Sequence, residues 1–506
     1  MNKKLQLTAL GIIILLGFWL RISSIAHQAS YWNDESNVAL YARTLLQTGE
    51  ATDSTGYTTG LYQSGMYYVT SLSFVVFGVN EFAGRFPSVV VGTILIAVVY
   101  IVTNELMGKK EALTAAFFTS FLQIQLAWST QLRPYIWMEL FTILIVYYCY
   151  RSAQSKRVIE KNIFIALFLS FISFLFHGIG VFNGVIIAGI ILYKSLRDKH
   201  YAALGLLVVL GVATLAGILT TPFGSREMLL KYYTDTLHYR TFLLANYLWL
   251  LTGALMGTYA LSKKEAQKMD LSILLAGSVA VIFILANFKV NPRHVRHSLP
   301  AFPLLYILCS VGIVWLGEIL HSMLRFVQLD TKIDKKGFLS WFFALVLFCV
   351  FPLYRHKLIL SPQSYYSINA DVRENPLPDY KTAFAKIKTL VGDNRDIIIL
   401  DSWYDRVLWY LPGQTYGWLF KNPNATSVAT AEEFEALKKN RSSGIVIVEN
   451  WQSLASENLQ NHIRETLYHE FDQGTVVGNE NDSWTISVYS WGIHDQPVEN
   501  KQYLHD

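Results

Sequence analysis

The chain has 506 residues, of which 52% are hydrophobic and only 16% are charged. Soluble domains carry about 25% charged residues, so this composition excludes an entirely soluble globular protein. The net charge of +5 is small, and we expect no nucleic-acid partner. The three cysteines, Cys149, Cys309 and Cys349, lie in apolar stretches without metal-ligand spacing, so neither a disulfide framework nor a cysteine metal site is expected.

Apolar runs long enough to cross a bilayer recur through the first two thirds of the chain. The first, Leu5 to Ile25, is either an uncleaved span or a signal peptide, and we favour the span because Arg21 is unusual before a cleavage site. The further predicted spans are Phe86 to Leu106, Ala112 to Trp128, Ile136 to Tyr150, Ile163 to Phe176, Ile179 to Tyr193, Ala202 to Thr220, Phe242 to Leu261, Leu271 to Phe288, Pro300 to Leu320 and Phe338 to Leu353. The sequence thus predicts a polytopic α-helical membrane protein with about eleven transmembrane helices.

Basic residues cluster in alternate connections between these spans. The clusters are Lys3-Lys4, Lys109-Lys110, Arg151 with Lys156-Arg157 and Lys161, Lys194 with Arg197 and Lys199, Lys263-Lys264 with Lys268, and Arg325 with Lys332 and Lys335-Lys336. Under the positive-inside rule they all lie in the cytoplasm. We therefore expect a multi-pass cell-membrane protein with a cytoplasmic N-terminus, and with its long loops and C-terminal part outside.

The first outer loop carries the acidic pair Asp34-Glu35, directly before a helical pattern over Ser36 to Leu46. Asp34 at or near the N-cap and Glu35 in the first turn are also what an ordinary helix start requires, so capping alone is an alternative interpretation. Later in the same loop, Leu61 to Gly78 is interrupted by polar residues and predicts an interfacial helix rather than a twelfth span.

Several further motifs follow in order along the same predicted face. They are Gly84-Arg85-Phe86-Pro87-Ser88, Gln131-Leu132-Arg133-Pro134-Tyr135, His177-Gly178, and Arg293 with Arg296-His297-Ser298-Leu299-Pro300. Together with the Asp-Glu pair, over about the first 320 residues, this order resembles the GT-C glycosyltransferases. The protein mannosyltransferases of glycosyltransferase family 39 and the aminoarabinose transferases are the most similar groups.

The resemblance implies a GT-C-like fold and a membrane enzyme that moves a hexose or pentose from a polyprenyl-phosphate donor to an extracytoplasmic acceptor. It also implies that Tyr62, Tyr67, Tyr135 and His177 contact substrate. One stretch departs from the family: Leu61 to Tyr68 keeps the aromatic pair but lacks the usual prolines and basic residue.

The chemistry of such a donor favours separate roles for the two acids. The departing phosphate needs cations and the acceptor hydroxyl needs a base, so one carboxylate suffices for a single inverting displacement. Adjacent Asp34 and Glu35 cannot flank one glycosidic bond, which makes Asp34 the expected base and Glu35 a positioning or acceptor-binding group. Arg133, Arg293 and Arg296 are the expected phosphate ligands, although arginines at span ends also reach for lipid headgroups.

No metal-binding pattern is present, so we expect no metal and no cofactor. A divalent ion held by Asp34, Glu35 and His177 stays an open alternative at this point.

Residues 356–506 are predicted to form an extracytoplasmic α/β accessory domain after a catalytic membrane domain of residues 1–355. Helices are expected at Asp379 to Val391, Glu432 to Lys439 and Leu459 to Phe471, and strands at Asp396 to Leu400, Ile445 to Val448 and Trp484 to Tyr489. No glycine-rich phosphate loop follows a strand, so we expect this domain to contact acceptor rather than a nucleotide.

Two other functions compete with glycosyl transfer. A transporter or flippase of lipid-linked glycans requires charged residues deep inside several spans, and few occur here. A scaffold protein would leave the polar cluster of the outer loops without a task.

Overall fold

The protein is described by a computed structural model, in which most of the chain is placed. The described residues are 3–27, 30–53, 57–58, 60–61, 63–155, 160–199, 205, 243–264, 266–289, 295–326, 337–364, 366, 377–422, 425–450, 453–477 and 485–494. Apart from residue 205, the predicted span Ala202 to Thr220 and the loop after it lie outside them.

The first part of the described chain is helical throughout. Its helices are α1 (Lys3–Ala26), α2 (Asn33–Thr48), α3 (Ser64–Phe77), α4 (Glu81–Leu106), α5 (Lys109–Phe121), α6 (Gln123–Ser129), α7 (Tyr135–Ala153), α8 (Lys161–Phe176), α9 (Val181–Arg197), α10 (Ala245–Ser262), α11 (Ala266–Lys289), α12 (Phe302–Phe326) and α13 (Phe338–Tyr354). Two 3₁₀ turns, Gly178–Gly180 and Val295–Ala301, precede α9 and α12. Thus the apolar runs that fall on described residues form helices, as predicted.

Among the described residues, five helical segments are long and apolar enough to cross a membrane. They are Lys4–Ala26, Glu81–Leu106, Gly178–Arg197, Lys268–Ala286 and Arg296–Phe326. Ser64–Phe77, Lys161–Phe176 and Phe338–Tyr354 are apolar but shorter. A multi-pass membrane protein is therefore supported, whereas the predicted count of eleven spans is not confirmed.

The predicted third span, Ala112 to Trp128, is not continuous. Leu122 is extended, with φ −71° and ψ 134°, and divides the run into α5 and α6. Ile359 N–H donates to the carbonyl of Phe121 at 2.8 Å, and Gln123 N–H donates to the carbonyl of Lys357 at 2.9 Å. Backbone groups released by the break thus pair with the segment after α13, as buried polar groups must.

Arg21 of α1 satisfies further carbonyl groups at this break. Its completely buried guanidinium donates to the carbonyls of Thr119 and Ser120, at 2.9 and 3.2 Å. Because a buried cation is costly unless it is hydrogen-bonded, these contacts explain why an arginine is tolerated within the first apolar run. The break sets the course of α6 and of the loop that leads to Arg133.

The C-terminal part contains a five-stranded sheet with helices. Its elements are β1 (Leu377–Pro378), α14 (Tyr380–Val391), β2 (Ile398–Asp401), α15 (Tyr404–Tyr410), β3 (Tyr416–Trp418), α16 (Ala431–Asn440), β4 (Gly444–Glu449), α17 (Glu457–Thr466), β5 (Tyr468–Gln473), β6 (Thr475–Val477) and β7 (Ile486–Trp491). The strand order is β3-β2-β4-β7-β5; β2 is parallel to β3 and β4, and β7 is antiparallel to β4 and β5.

The strands β2 and β4 lie buried in the middle of the five-stranded sheet. Both are apolar along nearly their whole length and are covered on both faces, which is typical of central parallel strands. The α/β prediction is thus confirmed by a sheet, and the helix predicted over Leu459 to Phe471 is confirmed as far as Thr466, where α17 ends. Its last four residues, Tyr468 to Phe471, were predicted wrongly: they belong to the strand β5, whose pairing with β7 overrides local helical periodicity.

Candidate functional site

The site is built at the start of α2, where the acidic pair lies in the first turn. Trp32, rather than Asp34, occupies the N-cap position, and its N–H donates to Glu35 Oε2 at 3.5 Å. Asp34 was expected at or near the N-cap, and it lies two residues after it. The first-turn carboxylate that completes the helix start is that of Glu35, and Asp34 is left for another role.

Glu35 is fully buried and bound to the helix α4. Arg85 Nε and Nη2 donate to its two carboxylate oxygens at 2.8 and 2.6 Å, and Leu132 N–H donates to Oε1 at 2.7 Å. A two-pronged arginine–carboxylate pair of this kind fixes orientation strongly. Glu35 therefore positions α2, and the alternative that it binds acceptor does not fit its burial.

Asp34 faces the other way, and its side chain is 33% exposed. Arg133 Nη2 lies 2.9 Å from Asp34 Oδ2, and Arg133 Nη1 donates to the Asp34 carbonyl at 3.2 Å. Arg296 Nη1 lies 3.4 Å from the same carboxylate oxygen. Three residues that the sequence placed in separate motifs thus form one cluster, with two cations on one accessible carboxylate.

Aromatic rings hold the two guanidinium groups beside each other. Arg133 Cζ lies 5.5 Å from the centre of the Trp32 ring and 5.6 Å from that of Tyr135, and Arg296 Cζ lies 5.5 and 5.8 Å from the same rings. Contacts at this distance attract cations to the ring faces and offset part of their mutual repulsion. The indole N–H of Trp32 in turn donates to Gln131 Oε1 at 3.1 Å.

His177 and His297 lie next to the arginine cluster, against the ring of Tyr135. The ring centroids of both lie close to that of Tyr135, at 5.5 and 6.1 Å, and 6.2 Å from each other. Burial, reinforced by the charges of Arg133 and Arg296, lowers the pKa of His177 to about 3. His177 is therefore neutral near pH 7, and because Nδ1 accepts from Ile179 N–H at 3.1 Å, its proton resides on Nε2.

Other predicted site residues lie elsewhere. Tyr67 is buried, with its ring stacked on that of Tyr41 at 4.8 Å, so it packs α3 against α2 and does not fit a direct substrate contact. Tyr62 and Arg293 lie outside the described residues. Trp32, Gln131 and His297 were not predicted as site residues; the position of Trp32 and Gln131 beside the predicted Asp34 and Arg133 was the available signal.

The suggested divalent-cation site is not formed by the residues proposed for it. The carboxylate of Glu35 forms a salt bridge with Arg85. Asp34 lies beside two guanidinium groups, those of Arg133 and Arg296, which repel a cation. Within the ranges given above, no group of three His, Cys, Asp or Glu side chains is arranged to hold a metal ion.

Part of the chain matches a glycosyltransferase family model. Residues 65–216 match the family model described as dolichyl-phosphate-mannose-protein mannosyltransferase. An uncharacterized protein of Aquifex aeolicus (strain VF5) is 25% identical over 219 residues. This match spans 40% of the chain and 41% of the relative, which is less than half of its length.

Solved structures share the fold over nearly the whole chain. The apo oligosaccharyltransferase of Archaeoglobus fulgidus has a TM-score of 0.60 and 14% identity. The superposition covers 93% of this chain and 73% of the oligosaccharyltransferase chain. The same organism's AglB, in complex with an inhibitory peptide and a dolichol-phosphate, has a TM-score of 0.59 at 14% identity, with the same coverage.

ArnT from Cupriavidus metallidurans, bound to undecaprenyl phosphate, has a TM-score of 0.57 at 11% identity. The superposition covers 97% of this chain and 98% of the ArnT chain. At these identities the structures show the fold alone. With the family match, they confirm the predicted resemblance to the GT-C glycosyltransferases.

Proposed function

We propose that this protein transfers a sugar from a polyprenyl-phosphate donor to a hydroxyl acceptor, by a single inverting displacement with Asp34 as general base. The observation that carries the proposal is the cluster of Asp34, Arg133 and Arg296 at the start of α2. A solvent-accessible carboxylate next to two guanidinium groups offers a proton acceptor and a phosphate site within one small region.

The burial of Glu35 supports a single displacement. A retaining mechanism needs two carboxylates that flank the sugar at about 5 Å from each other. Glu35 is held in the protein interior by Arg85 and Leu132, so Asp34 is the member of the pair that can reach a substrate. Inversion at the anomeric carbon follows from one base on one side and the leaving phosphate on the other.

The charges balance through the reaction. The acceptor oxygen bonds to the anomeric carbon and gives its proton to Asp34, while the bond from that carbon to the phosphate oxygen breaks and leaves its electron pair on the phosphate. Asp34 thereby loses a negative charge as the phosphate gains one. Arg133 and Arg296 can then shift their hydrogen bonds from the carboxylate to the phosphate, which favours the transition state over the bound donor.

The donor class is supported by the two structural neighbours that hold polyprenyl phosphates, dolichol-phosphate in AglB and undecaprenyl phosphate in ArnT. In this proposal residues 1–355 form the catalytic membrane domain and residues 356–506 an accessory domain. The distribution of basic clusters in the sequence supports a cytoplasmic N-terminus and a site on the extracytoplasmic face. The acceptor is a glycan, lipid or protein.

The proposal is tested with purified protein in liposomes. Radiolabelled undecaprenyl-phosphate hexoses and pentoses are presented with cell-envelope acceptors, and label transfer and anomeric configuration are measured. Transfer with inversion is expected, and lipid-linked sugar should accumulate in a strain that lacks the gene. Counterflow of labelled lipid across the liposome membrane without transfer would instead support the transporter or flippase.

A further inference from the structure

Helix α15 of the C-terminal part lies directly on α2, the helix that carries Asp34. Asn37 Nδ2 donates to Asp405 Oδ2 at 3.3 Å, and Arg43 Nη2 donates to the carbonyl of Leu408 at 3.0 Å. These contacts are spread over two turns of α2. The two helices are therefore held side by side rather than touching at one point.

Trp409 inserts from α15 into the core of the helical part. It is 9% exposed, and its ring centroid lies 5.1 Å from that of Tyr31 and 6.1 Å from that of Phe74. The guanidinium of Arg43 covers the same ring at 5.4 Å. Trp409 belongs to the hydrophobic cluster of α1 to α13 and not to either cluster of the sheet.

The opposite face of α15 is fixed to the sheet. Val407 and Leu411 pack into a cluster of the C-terminal part, and fully buried Arg406 pairs with Glu449 and, at 2.6 Å, with Asp401. Asp401 and Glu449 end the parallel strands β2 and β4. A buried, hydrogen-bonded ion network of this kind is disrupted at high cost, so α15 moves with the sheet.

From α15 a continuous series of contacts leads to Asp34. Tyr31 N–H donates to the hydroxyl of Tyr410 at 2.9 Å, and the Tyr31 ring lies 5.0 Å from the guanidinium of Arg85. Arg85 in turn holds Glu35, the neighbour of Asp34. The segment before the acidic pair is thus clamped between the sheet-bound helix and α4.

We infer that α15 is a positioning element for Asp34, and that Trp409 and Tyr410 act as positioning residues through Tyr31. This inference rests on the proposed function and assigns the C-terminal part a task other than acceptor contact. Transfer rates are sensitive to displacements of about 1 Å in a reacting group. Loss of this contact therefore lowers turnover and leaves substrate binding nearly unchanged.

The experiment compares full-length variants in lipid nanodiscs with undecaprenyl-phosphate sugar as donor. Trp409→Ala is expected to lower kcat by about tenfold or more, with KM for donor and acceptor within about twofold of wild type. Trp409→Phe should restore most of the loss because it keeps a ring against Tyr31. Tyr410→Phe, which removes only the hydroxyl that accepts from Tyr31, should give a smaller loss of kcat. Trp418→Ala is the control, since Trp418 lies in β3 of the five-stranded sheet and packs on Phe420.

Three results overturn the inference while wild type remains active. The first is an unchanged kcat in both Trp409→Ala and Tyr410→Phe. The second is a raised acceptor KM at constant kcat, which would make α15 an acceptor-binding element. An equal loss in Trp418→Ala also contradicts it, because general destabilisation of the sheet would then suffice. If Trp409→Ala does not fold, Tyr410→Phe decides. Wild type that transfers no sugar contradicts the proposed function itself.

Discussion

Arg133 binds Asp34 at two points, with Nη2 2.9 Å from the carboxylate oxygen Oδ2 and Nη1 3.2 Å from the backbone carbonyl. The second contact ties the arginine to the helix start, so it stays near the site when the carboxylate is protonated. Arg296 Nη1 meets the same carboxylate oxygen from a different part of the chain, at 3.4 Å. Both arginines thus approach one carboxylate oxygen of α2, at 2.9 and 3.4 Å.

Substitution of Arg133 is expected to reduce transfer strongly. Arg133→Ala should lower kcat/KM for the donor by about 100-fold to 1,000-fold, as loss of one well-placed charge-stabilising donor does. Arg133→Lys keeps the charge but loses the two-point geometry, so an intermediate loss is expected. Initial-rate kinetics in nanodiscs measure both. Arg151→Lys, which changes an exposed arginine paired with Glu105, is the control. Wild-type rates in Arg133→Ala would remove this residue from the phosphate site.

Glu35→Gln is expected to affect folding more than chemistry. The change leaves the buried guanidinium of Arg85 without its carboxylate, which costs about 3–5 kcal/mol of unfolding free energy. Thermal unfolding in detergent should show a clear fall in Tm relative to Glu50→Gln, an exposed residue near the other end of α2. An unchanged Tm together with lost transfer would indicate instead that Glu35 takes part in the reaction.

His177 gives the fold an acid-sensitive component. Its folded-state pKa is lowered to about 3, while an unfolded histidine titrates near 6.5, so the unfolded state binds more protons between these values. Stability is therefore complete above about pH 6.5 and falls as the pH drops toward 3. This residue alone should cost about 2 kcal/mol between pH 7 and pH 5.

Unfolding measured across that range, in wild type and His177→Gln, tests the contribution. The variant should lose less stability on acidification, since it has no imidazole to protonate. Identical pH dependence in the two proteins would show that His177 does not titrate as its burial requires.

The order of the motifs, together with the family resemblance, predicted some of the residues that meet in the cluster around Asp34. Four predicted residues come together: Asp34, Arg133, His177 and Arg296. More than half of the chain separates Asp34 from Arg296, so no local sequence pattern could have shown that they are close in space. The opposite orientations of Asp34 and Glu35 could not be predicted. They depend on Arg85 of α4 and on Leu132 of the loop between α6 and α7, which both bind Glu35.

The break at Leu122 shows a similar limit. No glycine or proline marks it, and the run reads as one apolar span. It is stabilised by Arg21 and by the segment around Lys357, both distant in sequence. The same reasoning applies to Tyr67, whose stacking on Tyr41 follows from how α3 lies against α2.

Gly84 is required for the close approach of α4 to Tyr31. A Cβ atom at this position would lie 1.8 Å from the Tyr31 hydroxyl oxygen, so Gly84→Ala forces the ring to move. Because Tyr31 packs on Arg85 and Trp409, we expect lower stability and at least about tenfold lower kcat. Gly11→Ala is the matched control, since no atom lies within 4 Å of a Cβ there. Equal activity of the two variants would mean that the position of Tyr31 does not matter for transfer.

The most direct test of the central claim is single-turnover sugar transfer by Asp34→Asn, which removes the base while preserving the size of the side chain. With undecaprenyl-phosphate sugar prebound, transfer should fall by about 100-fold or more, while binding of undecaprenyl phosphate is retained and Glu50→Gln behaves as wild type. Transfer by Asp34→Asn at a rate close to wild type would contradict the assignment of Asp34 as the base.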